Sequence, residues 1–237
     1  EFDFDIKNIK YFAGHSLGEY SALLCAGSLK FTDALFLLHE RGKAMQEAVP
    51  VGKGTMIAVL GVKTSEIIDL LKKNKNEGVC EIANDNDPKQ VVISGNKSAV
   101  EEVIELTKKK GARKALLLNV SAPFHCSLMR PAAEIMQDYL SEITVNEPQV
   151  PIVMNTRAKT VVDTGQIRTF LVDQIVEMVR WRESIKYMHS QGTTTFYELG
   201  AGKVLSGMVN RTVSNAQTVT IYSQQDILST LESLNNA

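Results

Sequence analysis

The sequence predicts an α/β protein with a parallel sheet and a smaller α+β unit inserted in it. Three observations predict this. Short apolar strand patterns alternate with amphipathic helix patterns along the chain. Near the start, a strand, a Gly-x-Ser-x-Gly turn and a helix follow one another directly. In the middle, strand–helix–strand–strand–helix–strand forms a split unit of its own.

Residues 9–13 read as a short buried strand, Gly14-His15-Ser16-Leu17-Gly18 as a tight turn, and 19–26 as a helix of mostly small and apolar residues. Together they make a nucleophile elbow, as in a hydrolase-like α/β domain. The turn is strained, and a side chain at either flanking glycine is expected to crowd the adjoining strand and helix. The strain holds the Ser16 hydroxyl clear of its backbone. The helix start behind it offers unpaired N–H groups and a positive dipole end, which suit an oxyanion. Residues 32–49 read as a helix capped by Thr32, closed by the Gly/Pro cluster 50–54, a plausible domain boundary. The next elements, 55–60, 65–73, 79–83, 91–94, 97–110 and 113–118, run βαββαβ, the ferredoxin-like order, with Asn84-Asp85-Asn86-Asp87-Pro88 joining two strands. A helix at 127–143 carries Leu128, Ala132, Ile135, Met136 and Leu140 on or near one face. A strand at 151–155, helices at 166–179 and 183–190, a strand at 194–199, a helix at 203–213 and a strand at 218–222 complete the chain. The expected division is 1–54 with 120–237 as the larger domain, and 55–119 as the ferredoxin-like subdomain.

At 237 residues and 44% hydrophobic composition, the chain can bury a sizeable core in one or two domains. Its 26 basic and 27 acidic residues nearly cancel, without the basic excess of a nucleic-acid binder. No apolar run approaches a membrane span and no leader pattern is read. Cys25, Cys80 and Cys126 are odd in number and form no Cys-x-x-Cys, so a reducing, cytoplasmic setting is expected. Glu1-Phe2-Asp3-Phe4-Asp5 has no Met, and an elbow normally follows at least one other strand of its sheet. The chain is therefore expected to be a fragment.

A serine hydroxyl at neutral pH needs a base. His15 adjoins Ser16 on a sharp turn and points away from it; His39 lies mid-helix; His189 ends a helix, where it complements the dipole. His125, in Ser121-Ala122-Pro123-Phe124-His125-Cys126, occupies a loop between strand and helix, where α/β folds assemble their sites. Its competing reading is a helix cap or surface residue. Cys126 reads as a small buried residue at a helix start. Arg41, between Leu38 and Met45, is either a stem covering apolar surface or a buried guanidinium able to hold a carboxylate by two parallel hydrogen bonds. Gly200-Ala201-Gly202-Lys203 has the wrong spacing for a phosphate loop and reads as a strand-to-helix turn. The runs Lys72-Lys73-Asn74-Lys75 and Lys108-Lys109-Lys110 read as solvated helix ends, with docking of an acidic partner as the second reading.

Four ordered segments carry a resemblance: Gly14-His15-Ser16-Leu17-Gly18-Glu19-Tyr20-Ser21-Ala22, Arg41-Gly42-Lys43-Ala44-Met45-Gln46, Ser121-Ala122-Pro123-Phe124-His125-Cys126 and Tyr197-Glu198-Leu199-Gly200-Ala201-Gly202-Lys203-Val204-Leu205. The chain resembles the malonyl-CoA:acyl-carrier-protein transacylase family over nearly its whole length. The resemblance implies Ser16 as the acylated nucleophile and His125 as its base, oriented by the backbone carbonyl of Gln174. It implies Leu17 N–H as an oxyanion donor, Arg41 as the grip on the malonyl carboxylate, and Asn84 and Asn86 as lining of the cleft between the domains. Phe124 is expected to crowd a substituent on the malonyl carbon. The implied partners are malonyl-CoA, a substrate, and acyl carrier protein; no cofactor, metal, nucleic acid or membrane is implied, and a monomer is expected. The family carries a Gly-Gln-Gly segment on a first strand that supplies the second oxyanion donor, and nothing upstream of Gly14 matches it. One such donor is worth on the order of 100- to 1000-fold in rate.

The resemblance implies ping-pong malonyl transfer in fatty acid biosynthesis. Two alternatives stand beside it: a serine esterase or thioesterase, which predicts a carboxylate between Ser16 and His125 to orient the base, and an acyltransferase-like fragment that only binds or scaffolds.

Overall fold

The computed structural model describes residues 6–73, 77–109 and 111–235; the opening pentapeptide, and Asn74, Lys75 and Lys110 of the lysine runs, lie outside them. The order is β1 (Phe12–Ala13), α1 (Gly18–Cys25), α2 (Phe31–Glu47), β2 (Gly54–Leu60), α3 (Thr64–Lys73), β3 (Cys80–Asp87), β4 (Gln90–Asn96), α4 (Lys97–Lys109), β5 (Lys114–Leu117), α5 (Arg130–Glu142), β6 (Ile152–Met154), β7 (Lys159–Val161), α6 (Thr164–Val176), α7 (Trp181–Ser190), β8 (Thr195–Leu199), α8 (Val204–Thr212), β9 (Gln217–Ile221) and α9 (Gln224–Asn235). Short 3-10 turns stand at Ile6–Asn8 and Ser127–Met129.

The elbow strand β1 pairs parallel with β6, Phe12 opposite Ile152 and Ala13 opposite Val153. Tyr20 and Leu23 of α1, Leu37 of α2, Met136 and Leu140 of α5, and Ile167 and Leu171 of α6 bury one core with Ile152 and Met154. The expected parallel sheet is mixed. After β6 the chain turns straight back, with Ala158 at φ 50° and its N–H on the Met154 carbonyl, so β7 lies antiparallel to β6. Strands β8 and β9 form a separate parallel pair.

The middle of the chain forms a four-stranded antiparallel sheet in the order β3-β4-β2-β5. Successive side chains on a strand face opposite ways. Ile57 and Val59 of β2 therefore join Val91 and Ile93 of β4 under Ile67 of α3 and Val100 and Val103 of α4. Met56 and Ala58 face the other way with Val92 and Ala83, and Phe124 packs against them. Beside that underside lies the loop carrying His125.

Several boundaries differ from expectation. Asn84, Asp85, Asn86 and Asp87 were expected in a connection, yet they continue β3 and are buried. Their polarity is offset by partners elsewhere in the fold, so tertiary pairing overrides local preference. Helix α2 starts one residue before Thr32, with Lys30 at the N-cap and no side-chain cap bond. Ile135 is exposed rather than core-facing. Helix α9 was not expected, although Ser223 and Asp226 cap it reciprocally, the Asp226 N–H donating to Ser223 Oγ and the Ser223 N–H to the Asp226 carboxylate. Among the described residues no helix is long and apolar enough to cross a membrane.

Candidate active site

Ser16 adopts φ 53°, a left-handed conformation that costs a non-glycine residue about 1–3 kcal/mol. Its surroundings hold it there. The Ser16 N–H donates to Asn155 Oδ1 at 2.8 Å, and Asn155 Nδ2 donates to the Gly14 carbonyl at 2.7 Å. Asn155 follows β6, the parallel neighbour of β1, so one amide grips both sides of the turn. Crowding is expected from the sequence at both glycines, but the structure shows it at Gly14 only. A Cβ on Gly14 would stand 1.9 Å from the Gly18 carbonyl oxygen, whereas a Cβ on Gly18 would meet nothing within 4 Å. The chain folds back onto Gly14, while Gly18 opens α1 with its outward direction free.

His125 is buried and also left-handed, φ 57°. The Ser16 hydroxyl donates to His125 Nε2 at 2.7 Å, and His125 Nδ1–H donates to the Gln174 carbonyl at 2.7 Å. Gln174 stands in the last turn of α6, where carbonyls lack intrahelical partners, so its oxygen is free to accept. Burial, reinforced by the nearby Arg41 charge, pushes the His125 imidazole down to about 3. The ring is neutral at pH 7, with Nε2 open to a proton.

The Gln174 side chain does further work. Arg41 Nη2 donates to Gln174 Oε1 at 2.9 Å and to Ser16 Oγ at 3.1 Å. Gln174 Nε2 donates to the Ser16 carbonyl at 3.1 Å and to the Glu19 carboxylate. Arg41 is 6% exposed, which excludes the reading of a head in water. Among the described residues no carboxylate stands within ion-pair distance of it, and its Nε has no partner. Burial lowers its pKa, opposed by Tyr20 and Glu19. Glu19 is fully buried and accepts from the Asn155 N–H at 2.6 Å. Burial pushes its carboxyl up to about 8 against those hydrogen bonds and the Arg41 charge.

The structure thus brings Ser16, His125, Gln174 and Arg41 into one hydrogen-bonded group. Leu17 N–H makes no hydrogen bond within the described residues, and the Leu17 side chain is exposed. Asn86 stands one step away, its Oδ1 accepting from His15 Nε2 at 2.8 Å, with the His15 ring edge-on to Trp181. Asn84 pairs with Val179 in a parallel bridge, and Phe124 is partly buried between two apolar clusters; neither contacts Ser16 through a hydrogen bond. Cys126 is buried, its thiol donating to the Pro123 carbonyl. His39 is exposed beside Glu40, and His189 Nδ1 donates to the Thr193 carbonyl. Residues 200–203 form the turn between β8 and α8, and Glu198 accepts from the Leu205 and Ser206 N–H groups at the start of α8.

Sequence reasoning missed Asn155 and Glu19. Asn155 closes a strand beside the elbow strand, where strand ends of α/β sheets build sites. Glu19 is an acidic residue in a helix of small and apolar side chains, and so a sign of a buried partner.

Residues 9–231 match the acyl transferase domain family model. The malonyl CoA-acyl carrier protein transacylases of Haemophilus influenzae and Escherichia coli K12 are 45% and 47% identical over 209 and 201 residues, covering 88% and 85% of this chain. The chain spans 67% and 65% of their lengths, about two thirds. The crystal structure of acyl-carrier-protein-S-malonyltransferase from Bartonella henselae superposes with a TM-score of 0.95 at 41% identity, over 98% of this chain and 74% of that one. A malonyl-transacylase in complex with its type II PKS acyl-carrier protein gives 0.92 at 40% identity, over 94% and 72%.

Proposed function

We propose that this chain, which belongs to the acyl transferase domain family, transfers a malonyl group from malonyl-CoA to the phosphopantetheine thiol of acyl carrier protein through malonyl-Ser16, in fatty acid biosynthesis. One observation carries the reading: the Ser16 oxygen lies 2.7 Å from a neutral imidazole and 3.1 Å from a buried guanidinium that, among the described residues, no carboxylate meets at ion-pair distance. The imidazole makes the nucleophile. The guanidinium awaits an anionic acyl tail, which a hydrolase of neutral esters would not require.

In the first half-reaction His125 Nε2 takes the Ser16 proton as Ser16 Oγ bonds the malonyl carbonyl carbon. The C–S bond then breaks, and the coenzyme A sulfur takes the proton back from His125. In the second, His125 takes the proton of the phosphopantetheine thiol, whose sulfur bonds the ester carbon. The C–Oγ bond breaks and the proton returns to Ser16. Leu17 N–H donates to the tetrahedral oxyanion. Gln174 holds the imidazole through its carbonyl and the guanidinium through its amide. Proton traffic runs through His125 alone and calls on no cofactor or metal. The working unit in this reading is a monomer in the cytoplasm, acting without nucleic acid or membrane.

We read residues 55–119 as the inserted ferredoxin-like subdomain, on the order of its strands, and 1–54 with 120–237 as the larger domain. Asn84, Asn86 and Phe124 then line the cleft between them. The esterase reading asks for a carboxylate on His125 Nδ1; a backbone carbonyl stands there instead. Mass spectrometry after mixing the chain with malonyl-CoA tests the proposal. The expected result is a malonyl adduct on Ser16, absent in Ser16→Ala, discharged by carrier protein. Discharge by water at the same rate would overturn it.

A further inference from the structure

Strand β3 lies away from the reacting atoms, yet its side chains reach the turn after His125 and the residue before Ser16. Glu81 accepts from the Ser127 N–H at 2.9 Å and from Ser127 Oγ at 2.7 Å, fixing the turn that follows His125. Asn86 holds His15, the residue before Ser16. Between and beside these, Asp85 and Asp87 are fully or almost fully buried, and neither takes part in the transfer chemistry. Asp85 receives Arg182 Nε at 2.9 and 3.0 Å, Arg182 Nη2 at 2.6 Å and Thr64 Oγ1 at 2.8 Å. Asp87 receives Arg211 Nε and the Lys89 N–H, each at 2.8 Å. Backbone bonds close the same seam: Asp85 N–H to the Val179 carbonyl at 2.9 Å, and Val179 N–H to the Ala83 carbonyl at 2.8 Å.

Burying two carboxylates is costly unless each is paired and hydrogen-bonded. Here the pairs do not cross within one sheet. They tie β3 to α7 through Arg182 and to α8 through Arg211. The register of β3 on β4 shifts between Asp85 and Asp87, so Asn86 sits at an irregularity of the strand with an anchored carboxylate on either side of it. Trp181, next to Arg182, packs its ring against the His15 ring at 5.5 Å between centroids, so the same helix start touches the elbow.

We infer that Asp85 and Asp87, through their ion pairs with Arg182 and Arg211, are positioning residues that set the distance between the His125 loop and the Ser16 elbow. The inference deepens the transfer reading and rests on it. Glu81 and Asn86 carry the set position to the two halves of the reacting pair, and displacement of either costs rate without removing any reacting group. Misplacement of a catalytic group by about 1 Å can cost on the order of 100-fold.

The test uses Asp85→Asn and Asp87→Asn, which keep volume and an acceptor oxygen, together with Arg182→Gln and Arg182→Lys. Three readings are taken: the single-turnover rate and half-saturating concentration for malonyl-CoA acylation of Ser16, the rate of Ser16 labelling by a small fluorophosphonate, and the emission of Trp181, the chain's one tryptophan. We expect the acylation rate and the labelling rate to fall about tenfold in Asp85→Asn and Arg182→Gln, less in Asp87→Asn, with half-saturation within about threefold and a shifted Trp181 emission. Arg182→Lys restores most of the rate. A lowered thermal midpoint with both rates unchanged makes the pairs structural only and overturns the inference, as does a loss that Arg182→Lys leaves unrepaired. If the parent takes no malonyl group, the transfer reading fails by itself. Fluorophosphonate labelling and Trp181 emission then decide the positioning role.

Discussion

The Ser16 hydroxyl is held between opposite demands. His125 Nε2 accepts its proton at 2.7 Å, and the Arg41 guanidinium donates to the same oxygen at 3.1 Å; in the proposed transfer this favours the alkoxide. Charge-assisted hydrogen bonds are worth about 1.5–3 kcal/mol. Arg41→Ala should therefore lower malonyl transfer at least about tenfold and favour acetyl groups in relative terms. Competition between malonyl-CoA and acetyl-CoA for Ser16 measures this, and an unchanged ratio refutes the clamp. The buried imidazole gives a second expectation. A base is competent when neutral, and His125, lowered to about 3, stays neutral well below the ordinary histidine range. The acylation rate should hold as pH falls from 8 to about 5. An ionisation near 6.5 in the pH–rate profile would contradict it.

At the scale of elements, the elbow owes its shape to Gly14. A methyl group there would drive into the Gly18 carbonyl, and the backbone of α1 would have to move. Gly14→Ala should lose Ser16 reactivity and unfold more readily, while Gly18→Ala should fold and gain up to about 1 kcal/mol from helix propensity. Thermal midpoints and fluorophosphonate labelling of the two variants separate them; equal damage from both would show that the one-sided crowding is wrong. This also marks what was legible in the sequence. The strand, turn and helix around Ser16 were readable because glycine spacing and apolar periodicity are local properties. His125 was readable as a loop residue between strand and helix. The extension of β3 through Asn84, Asp85, Asn86 and Asp87 was not, because four polar residues before a proline have every local mark of a turn. Their burial rests largely on distant partners: Arg182 and Arg211, about a hundred residues further on, for the two carboxylates, and His15 for Asn86. Strand β7 was hidden for a similar reason: three residues are too few to show a period. Gln174 drew attention through the family resemblance, and nothing local marks its side chain as the link between Arg41, Glu19 and Ser16.

For the whole molecule, the site is a cost that the rest of the fold carries, and its pH dependence makes that cost measurable. Glu19 is raised to about 8 from an ordinary value near 4.5. Between those two values the folded chain holds a proton that the unfolded chain releases. Stability from this group is full below about 4.5 and declines as pH rises toward 8, by up to about 1.4 kcal/mol per pH unit. His125 acts at the other end. Lowered to about 3, it binds no proton in the folded state where the unfolded chain, with its histidine near 6.5, binds one. Its contribution is lost as pH falls below about 6.5. The two groups squeeze the folded state from opposite sides. Urea midpoints of the parent and of Glu19→Gln, compared from pH 5 to 8, isolate the Glu19 share. The variant should be less stable at pH 5, since its amide sets a donor against the Gln174 amide, and the gap should narrow as pH rises. A gap that stays flat over that range would mean that Glu19 is ionised in the folded protein as in the unfolded chain, and serves as the counter-charge of Arg41.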